Sequence, residues 1–233
     1  MRIAAIDQGT TSSRVLVADE EGSREIRHSV RHAQIHPGPG RVEHDPLELL
    51  ANVRACIEAA GPVDAIGIDN QGESCLAWDS DTLEPLSPVI VWQDSRTADL
   101  IEKLRQDGAE EITLARTGLP LDPYFSASKL AWIVEHLPAA KEALGRGRLR
   151  LGTTDAYFLN CLTGRFITDT TTASRTSLMN LETRQWDPEL CRLFGVPMEC
   201  LPEIGLTAGE VLGVVNGVPL TASVVDQQAA LYG

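Results

Sequence analysis

Basic and aromatic residues are both in short supply. Across 233 residues, 20 Lys and Arg face 33 Asp and Glu, a net charge of −13, and aromatics make up 5%. The shortage of cations argues against nucleic acid as a partner, because binding a polyanion depends on neutralising its phosphates. It leaves ATP open, since a metal ion and a few N–H groups can handle that charge locally. No apolar run approaches the roughly 20 residues of a membrane span, so no membrane partner is expected. Met1-Arg2-Ile3 enters a strand directly, without the apolar core and cleavage site of a secretion signal. The five cysteines (Cys56, Cys75, Cys161, Cys191 and Cys200) are odd in number and form no Cys-x-x-Cys pair. Reduced, mostly buried thiols in a cytoplasmic protein are the expectation. The five histidines lack metal-ligand spacing, and His44, just before a helix start, reads as a surface or capping neighbour.

What remains is an ordinary globular composition, 43% hydrophobic and 23% charged, enough for one large domain or two small ones. Residues 2–7, 12–19 and 24–34 read as a β-meander. Asp45-Pro46 opens a helix, with Glu48 at the capping-box position and Leu49, Leu50, Val53, Cys56 and Ile57 at helical spacing. Ala65 to Ile68 is a short buried strand. Helices are expected over 95–107, 126–136 and 154–162, the last stopped by Gly164, with another opened by Asp187-Pro188 and ending near Gly195. From Gly213 the pattern returns to strand. The architecture this implies is an α/β mixed-sheet core, residues 1–90 and 210–233, interrupted by a helical insertion over 91–209.

Two strand ends carry the chemistry. Ile3 to Ile6 runs into Asp7-Gln8-Gly9-Thr10-Thr11-Ser12-Ser13-Arg14, and Val218 to Val225 runs into Asp226-Gln227-Gln228. A Gly/Thr/Ser turn offers backbone N–H groups and hydroxyls to phosphate oxygens, and a carboxylate can hold a metal or accept a proton. Thr10, Thr11, Ser12 and Arg14 are the candidate nucleotide contacts, Asp7 the candidate metal carboxylate and Asp226 the candidate general base. The plainer reading is a hairpin turn and a helix cap.

These segments resemble the FGGY carbohydrate kinases, and the glycerol kinase branch above all. Further segments follow in the same order: 40–46, Asn70-Gln71-Gly72-Glu73, Val91 to Thr97, Gly118 to Leu130, Thr168-Asp169 with Ala173-Ser174-Arg175-Thr176, and 226–228. Any one motif is weak, but the ordered set spans nearly the whole chain and is specific. The resemblance implies a ribonuclease H-like core of the sugar kinase and actin-like ATPase type, with ATP and Mg²⁺ as cosubstrate and cofactor. The implied partner is a small-molecule polyol or sugar, bound by Glu73, Trp92, Tyr124, Asp226 and Gln227. Homo-oligomerisation is compatible with it. It also implies that residues 1–233 are the N-terminal domain of a two-domain enzyme, the C-terminal kinase domain being absent, so that this chain by itself is expected to be inactive.

Two positions depart from the glycerol kinase pattern. Gly72 stands where that branch carries an arginine that donates to glycerol, and Val225 where it usually has glycine. The missing arginine predicts lost affinity for glycerol and a volume open to a larger polyol or ketose. Asp94 and Arg96 are read as a loop-shaping ion pair, and Thr168 to Thr176 as a structural strand and turn. Two other classes compete with the kinase reading. Asp7, Asp69 and Asp226 would suit a two-metal nuclease, against which the acidic composition argues, and a non-catalytic sugar-binding or regulatory remnant fits a chain lacking a second domain.

Overall fold

A computed structural model describes residues 1–233. The chain runs β1 (Arg2–Gln8), β2 (Ser12–Asp19), β3 (Arg24–Arg31), β4 (Glu43–His44), α1 (Pro46–Ala60), β5 (Ala65–Asn70), β6 (Cys75–Asp79) and β7 (Val89–Ile90). It continues with α2 (Ala98–Gln106), α3 (Glu110–Thr117), α4 (Ser126–His136), α5 (Pro138–Gly145), β8 (Leu149–Thr153), α6 (Thr154–Thr163) and β9 (Ile167–Asp169). The last elements are α7 (Thr170–Ala173), α8 (Pro188–Phe194), β10 (Glu203–Gly205), β11 (Ala208–Val215), β12 (Val218–Val225) and α9 (Asp226–Tyr232).

Six strands form one mixed sheet in the order β11-β12-β5-β1-β2-β3. The meander β1-β2-β3 is antiparallel, whereas β1, β5 and β12 lie side by side and parallel. Period-2 alternation sends Ala4, Ile6, Val15, Val17, Ile66, Ile68 and Leu220 to one face, where they pack against apolar residues of α1 and α6. The expected cap of α1 is present: Asp45 Oδ1 accepts from the Leu47 N–H, and Pro46 occupies the first helical position.

A second, antiparallel sheet, β4-β7-β6-β8, carries α2, α4, α5 and α8 over a separate apolar cluster. The 91–209 segment is therefore not purely helical. It contributes β8 to a sheet whose other strands lie within residues 1–90, and α6 packs in the first core with Tyr157, Phe158 and Leu159. The two units interleave because β8 pairs with β6 in the second sheet while α6, which follows it directly, is buried from Thr154 to Asn160 against the first. Helix α2 starts at Ala98 and not Ser95, since residues 94–96 are taken up by a buried ion pair. Asp94, with a wholly buried side chain, is bracketed by Arg96 Nε at 2.9 Å and Nη2 at 2.8 Å, and Arg96 Nη2 also reaches Glu43 at 2.6 Å. His44 is fully buried and not a surface neighbour: its ring meets His32 edge-on at 4.7 Å, and burial pulls its pKa down to about 4. All five cysteines are free. No helix is long and apolar enough to cross a membrane.

Candidate active site

The carboxyl ends of three adjacent parallel strands converge. Asp7 on β1 pairs in register with Asp69 on β5, and Val225 on β12 pairs with Asn70, which brings Asp226 beside Asp69. Ligands of open α/β sheets bind in such crevices. Asp7, Gly9, Thr10, Thr11, Ser12, Arg14, Asp69, Asp226 and Gln227 line one cleft of about 610 Å³. The β1–β2 turn is closed by the Gly9 N–H donating to Ser12 O at 3.0 Å.

Arg14 Nε contacts Asp7 Oδ2 at 2.7 Å, with the two side chains 52% and 33% exposed. A pair so open to solvent contributes less than about 1 kcal/mol, which leaves both groups available to phosphate and cation. Asp69 is different. Burial, and then the charges of Asp7 and Asp226, push its pKa up to about 8, and its buried Oδ1 has no hydrogen-bond partner. An all-oxygen set with one unpartnered carboxylate oxygen suits a hard cation such as Mg²⁺. No three acidic, His or Cys side chains are gathered closely enough to cage a metal alone. A cation held here would therefore take one or two carboxylates and complete its shell with water and phosphate oxygens.

Asp226 opens α9, with its Oδ1 accepting from the Gln227 N–H at 2.7 Å. Its carboxyl is pushed above the usual range by burial and by Asp7, against the backbone N–H groups of Gln227 and Gly72. A proton acceptor gains from that direction of shift.

The residues expected to bind the acceptor gather next to Asp226, around Gln227. Gln227 Nε2 donates to the Tyr124 hydroxyl at 3.2 Å, and the Tyr124 and Trp92 rings lie 5.5 Å apart as one wall. Trp92 Nε1 donates to Thr10 Oγ1 at 3.0 Å, which ties this wall to the phosphate turn. Glu73 sits at φ +60°, the centre of a tight turn closed by the Ser74 N–H on Gly72 O at 2.7 Å. Non-glycine residues avoid that conformation, and such strain collects at functional sites. Burial raises the Glu73 carboxyl, while Arg175 Nε, 2.7 Å from Oε1, opposes the rise.

All the candidate residues thus fall in one continuous region, and the sequence reading missed three participants. Arg175 was placed in a structural segment, yet it leaves α7 to sit on Glu73. Lys129, fully buried, holds the Tyr124 loop by donating to the carbonyls of Pro123, Tyr124 and Phe125 at 2.5, 2.6 and 3.2 Å. Asp69 was noticed as a strand-end carboxylate but given no role in the leading reading. The signal available for Arg175 was its place in Ala-Ser-Arg-Thr; nothing local pointed to Glu73, 102 residues away.

The space expected beside Gly72 is not there. A Cβ at position 72 would lie 2.5 Å from Val225 Cγ2, and Val225 is itself 1% exposed. The two departures are complementary, valine filling what glycine vacates, so the argument for a larger acceptor falls away.

Comparison with known proteins places the chain in a family. The N-terminal domain of the FGGY family of carbohydrate kinases matches residues 2–233. A glycerol kinase of Cereibacter sphaeroides is 44% identical over 247 residues, covering 99% of this chain and 50% of that protein. A Plasmodium falciparum glycerol kinase solved with ADP superposes with a TM-score of 0.91 at 33% identity, over 98% of this chain and 49% of that one. A xylulose kinase from Rhodospirillum rubrum shares the fold, with a TM-score of 0.87 at 24% identity over 99% of this chain and 50% of that one. The chain spans about half the length of the relatives it matches.

Proposed function

The chain belongs to the FGGY family of carbohydrate kinases, and from that premise we propose that the full-length protein transfers the γ-phosphoryl group of ATP to a hydroxyl of a small polyol or sugar. Residues 1–233 carry the acceptor site, the phosphate turn and the base. The relatives named glycerol kinase support a glycerol-like polyol as the acceptor.

In this reading the turn amides and the hydroxyls of Thr10, Thr11 and Ser12 receive phosphate oxygens, and Arg14 adds positive charge. Asp7 and Asp69 would hold Mg²⁺, which when bound neutralises charge on the phosphates. Trp92 and Tyr124 present an apolar wall to the C–H face of the polyol, and Gln227 orients a hydroxyl. Asp226 accepts the proton of the attacking hydroxyl. Positioning does most of the work in phosphoryl transfer, so one carboxylate suffices. The observation that carries the proposal is the Asp226-Gln227 step: Asp226 lines the phosphate cleft while its neighbour bonds Tyr124 in the acceptor wall. An acceptor between them would have its hydroxyl next to both base and phosphate.

A coupled ADP-release assay on full-length protein with Mg²⁺·ATP and a panel of triols, tetritols, ketopentoses and aldonates tests this. ADP release that depends on one of them is expected. Release independent of every acceptor, or none at all, would refute the kinase assignment.

A further inference from the structure

The Glu73 carboxylate is closed to solvent, its side chain 2% exposed, while the Arg175 side chain bonded to it is 22% exposed. The arginine therefore lies over the carboxylate and is the half of the pair that an incoming molecule meets. Its guanidinium carbon is 5.2 Å from the Phe125 ring centre and 5.9 Å from that of Tyr124, so the plane is seated against the aromatic wall. Only Nε is used by Glu73, at 2.7 Å; the two terminal amino groups are not committed to Glu73, and the Arg175 side chain also acts on the Tyr124 hydroxyl. The position is well anchored. Asp169 caps α7 through the N–H groups of Thr171 and Thr172, and Thr176 O accepts from the Ala127 N–H at the start of α4. On the opposite side, the Gly72–Val225 contact leaves no room for a side chain from position 72.

We propose that Arg175 is a specificity-determining residue of the acceptor site, its terminal amino groups donating to a hydroxyl of a neutral polyol. The inference rests on the kinase reading above and names the group that recognises the acceptor. Because Glu73 compensates the guanidinium charge, the site offers fixed donors without a net positive field. That favours hydroxyl-bearing neutral acceptors over carboxylates, and a planar donor fork suits adjacent oxygens. Glu73 then acts through Arg175 as a positioning residue.

The test uses full-length protein and compares glycerol with 1,2-propanediol, which lacks one hydroxyl, in wild type, Arg175→Lys and Arg175→Gln. Acceptor binding is followed by calorimetry and turnover by ADP release, with ADP binding and the thermal midpoint as controls. Lysine can keep the ion pair with Glu73 but not the fork, so a merely structural role would leave it near wild type. The expected result is a roughly ten- to hundredfold weaker glycerol affinity in both variants, the usual scale for a charged hydrogen bond, and a collapsed preference for glycerol over the diol. ADP binding should be unchanged. A preference for glycerol that survives in both variants overturns the proposal. If wild type binds polyols in an Arg175-dependent way without phosphorylating them, the kinase reading fails and this inference stands. If wild type binds none of them, both fail.

Discussion

Gly72 and Val225 are set against each other so closely that the contact can be tested by adding one carbon. An ideal Cβ on residue 72 lies 2.5 Å from Val225 Cγ2, about 1 Å inside ordinary carbon–carbon contact. Val225 cannot swing aside: its side chain is buried, valine has few χ1 options, and its N–H donates to Thr171 Oγ1 at 3.0 Å. The backbone at Gly72 is not left-handed, so Gly72→Ala carries a steric cost and no conformational one. Overpacking of this kind costs about 1–3 kcal/mol, a fall in thermal midpoint of roughly 2–12 °C for a chain of this size. Val225→Ala should cost about 1–3 kcal/mol for a different reason, the cavity it leaves. In the Val225→Ala background, Gly72→Ala should become neutral or stabilising by up to about 1 kcal/mol, since it restricts the unfolded chain. The coupling energy in the double-mutant cycle is then at least about 1 kcal/mol in favour of the double variant. Because residues 72 and 225 immediately precede Glu73 and Asp226, the single variant should also lose turnover and the double variant recover it. Denaturant unfolding of the four proteins measures the cycle. A Gly72→Ala protein as stable as wild type, with additive effects, would refute the interlock.

Three further outcomes are expected. Asp226→Asn in the full-length protein should lower kcat roughly 10²–10⁴-fold with little change in acceptor KM; near wild-type kcat in steady-state assays would remove Asp226 as the base. Lys129→Met should leave the carbonyls of residues 123–125 without their shared donor and loosen the Tyr124 loop. A stability loss of about 1–3 kcal/mol and a raised acceptor KM should follow, and an unchanged KM would show that Tyr124 holds its place by packing alone. Asp155, buried and hydrogen-bonded by Thr153 and Thr168, has its pKa raised from 3.8 to about 6 by burial and then by Asp169. Between those values the native state keeps a proton that the unfolded chain has lost, so stability falls as pH rises from about 4 to 6 and is then level. Asp155→Asn should remove that fall, up to about 3 kcal/mol, and denaturant midpoints at pH 4 and 7 that change alike in both proteins would contradict it.

Much of the site was legible because strand ends announce themselves. An apolar run that stops at a carboxylate, as at Asp7 and Asp226, places that group at the carboxyl end of a strand whatever the rest of the chain does, and a Gly/Thr/Ser turn declares its donors. The cap at Asp45-Pro46 was legible for the same local reason: its partner is two residues away. Helices α3 and α5 were not anticipated, being two turns each with few apolar positions to set a period.

The amino-acid sequence by itself determined the family pattern, the strand-end carboxylates, the Gly/Thr/Ser turn and the net negative charge, all of which follow from local order and composition. Tertiary structure alone decided that Asp69 lies between Asp7 and Asp226, because β2, β3, β4 and α1 separate β1 from β5 along the chain before the two strands pair in parallel. It decided that His44 is buried, that Lys129 braces Tyr124, and that Arg175 covers Glu73 from 102 residues away. It also reversed the meaning of Gly72. A missing side chain reads in sequence as empty space, but in a close-packed interior a neighbour distant in the chain fills it, and here that neighbour is Val225.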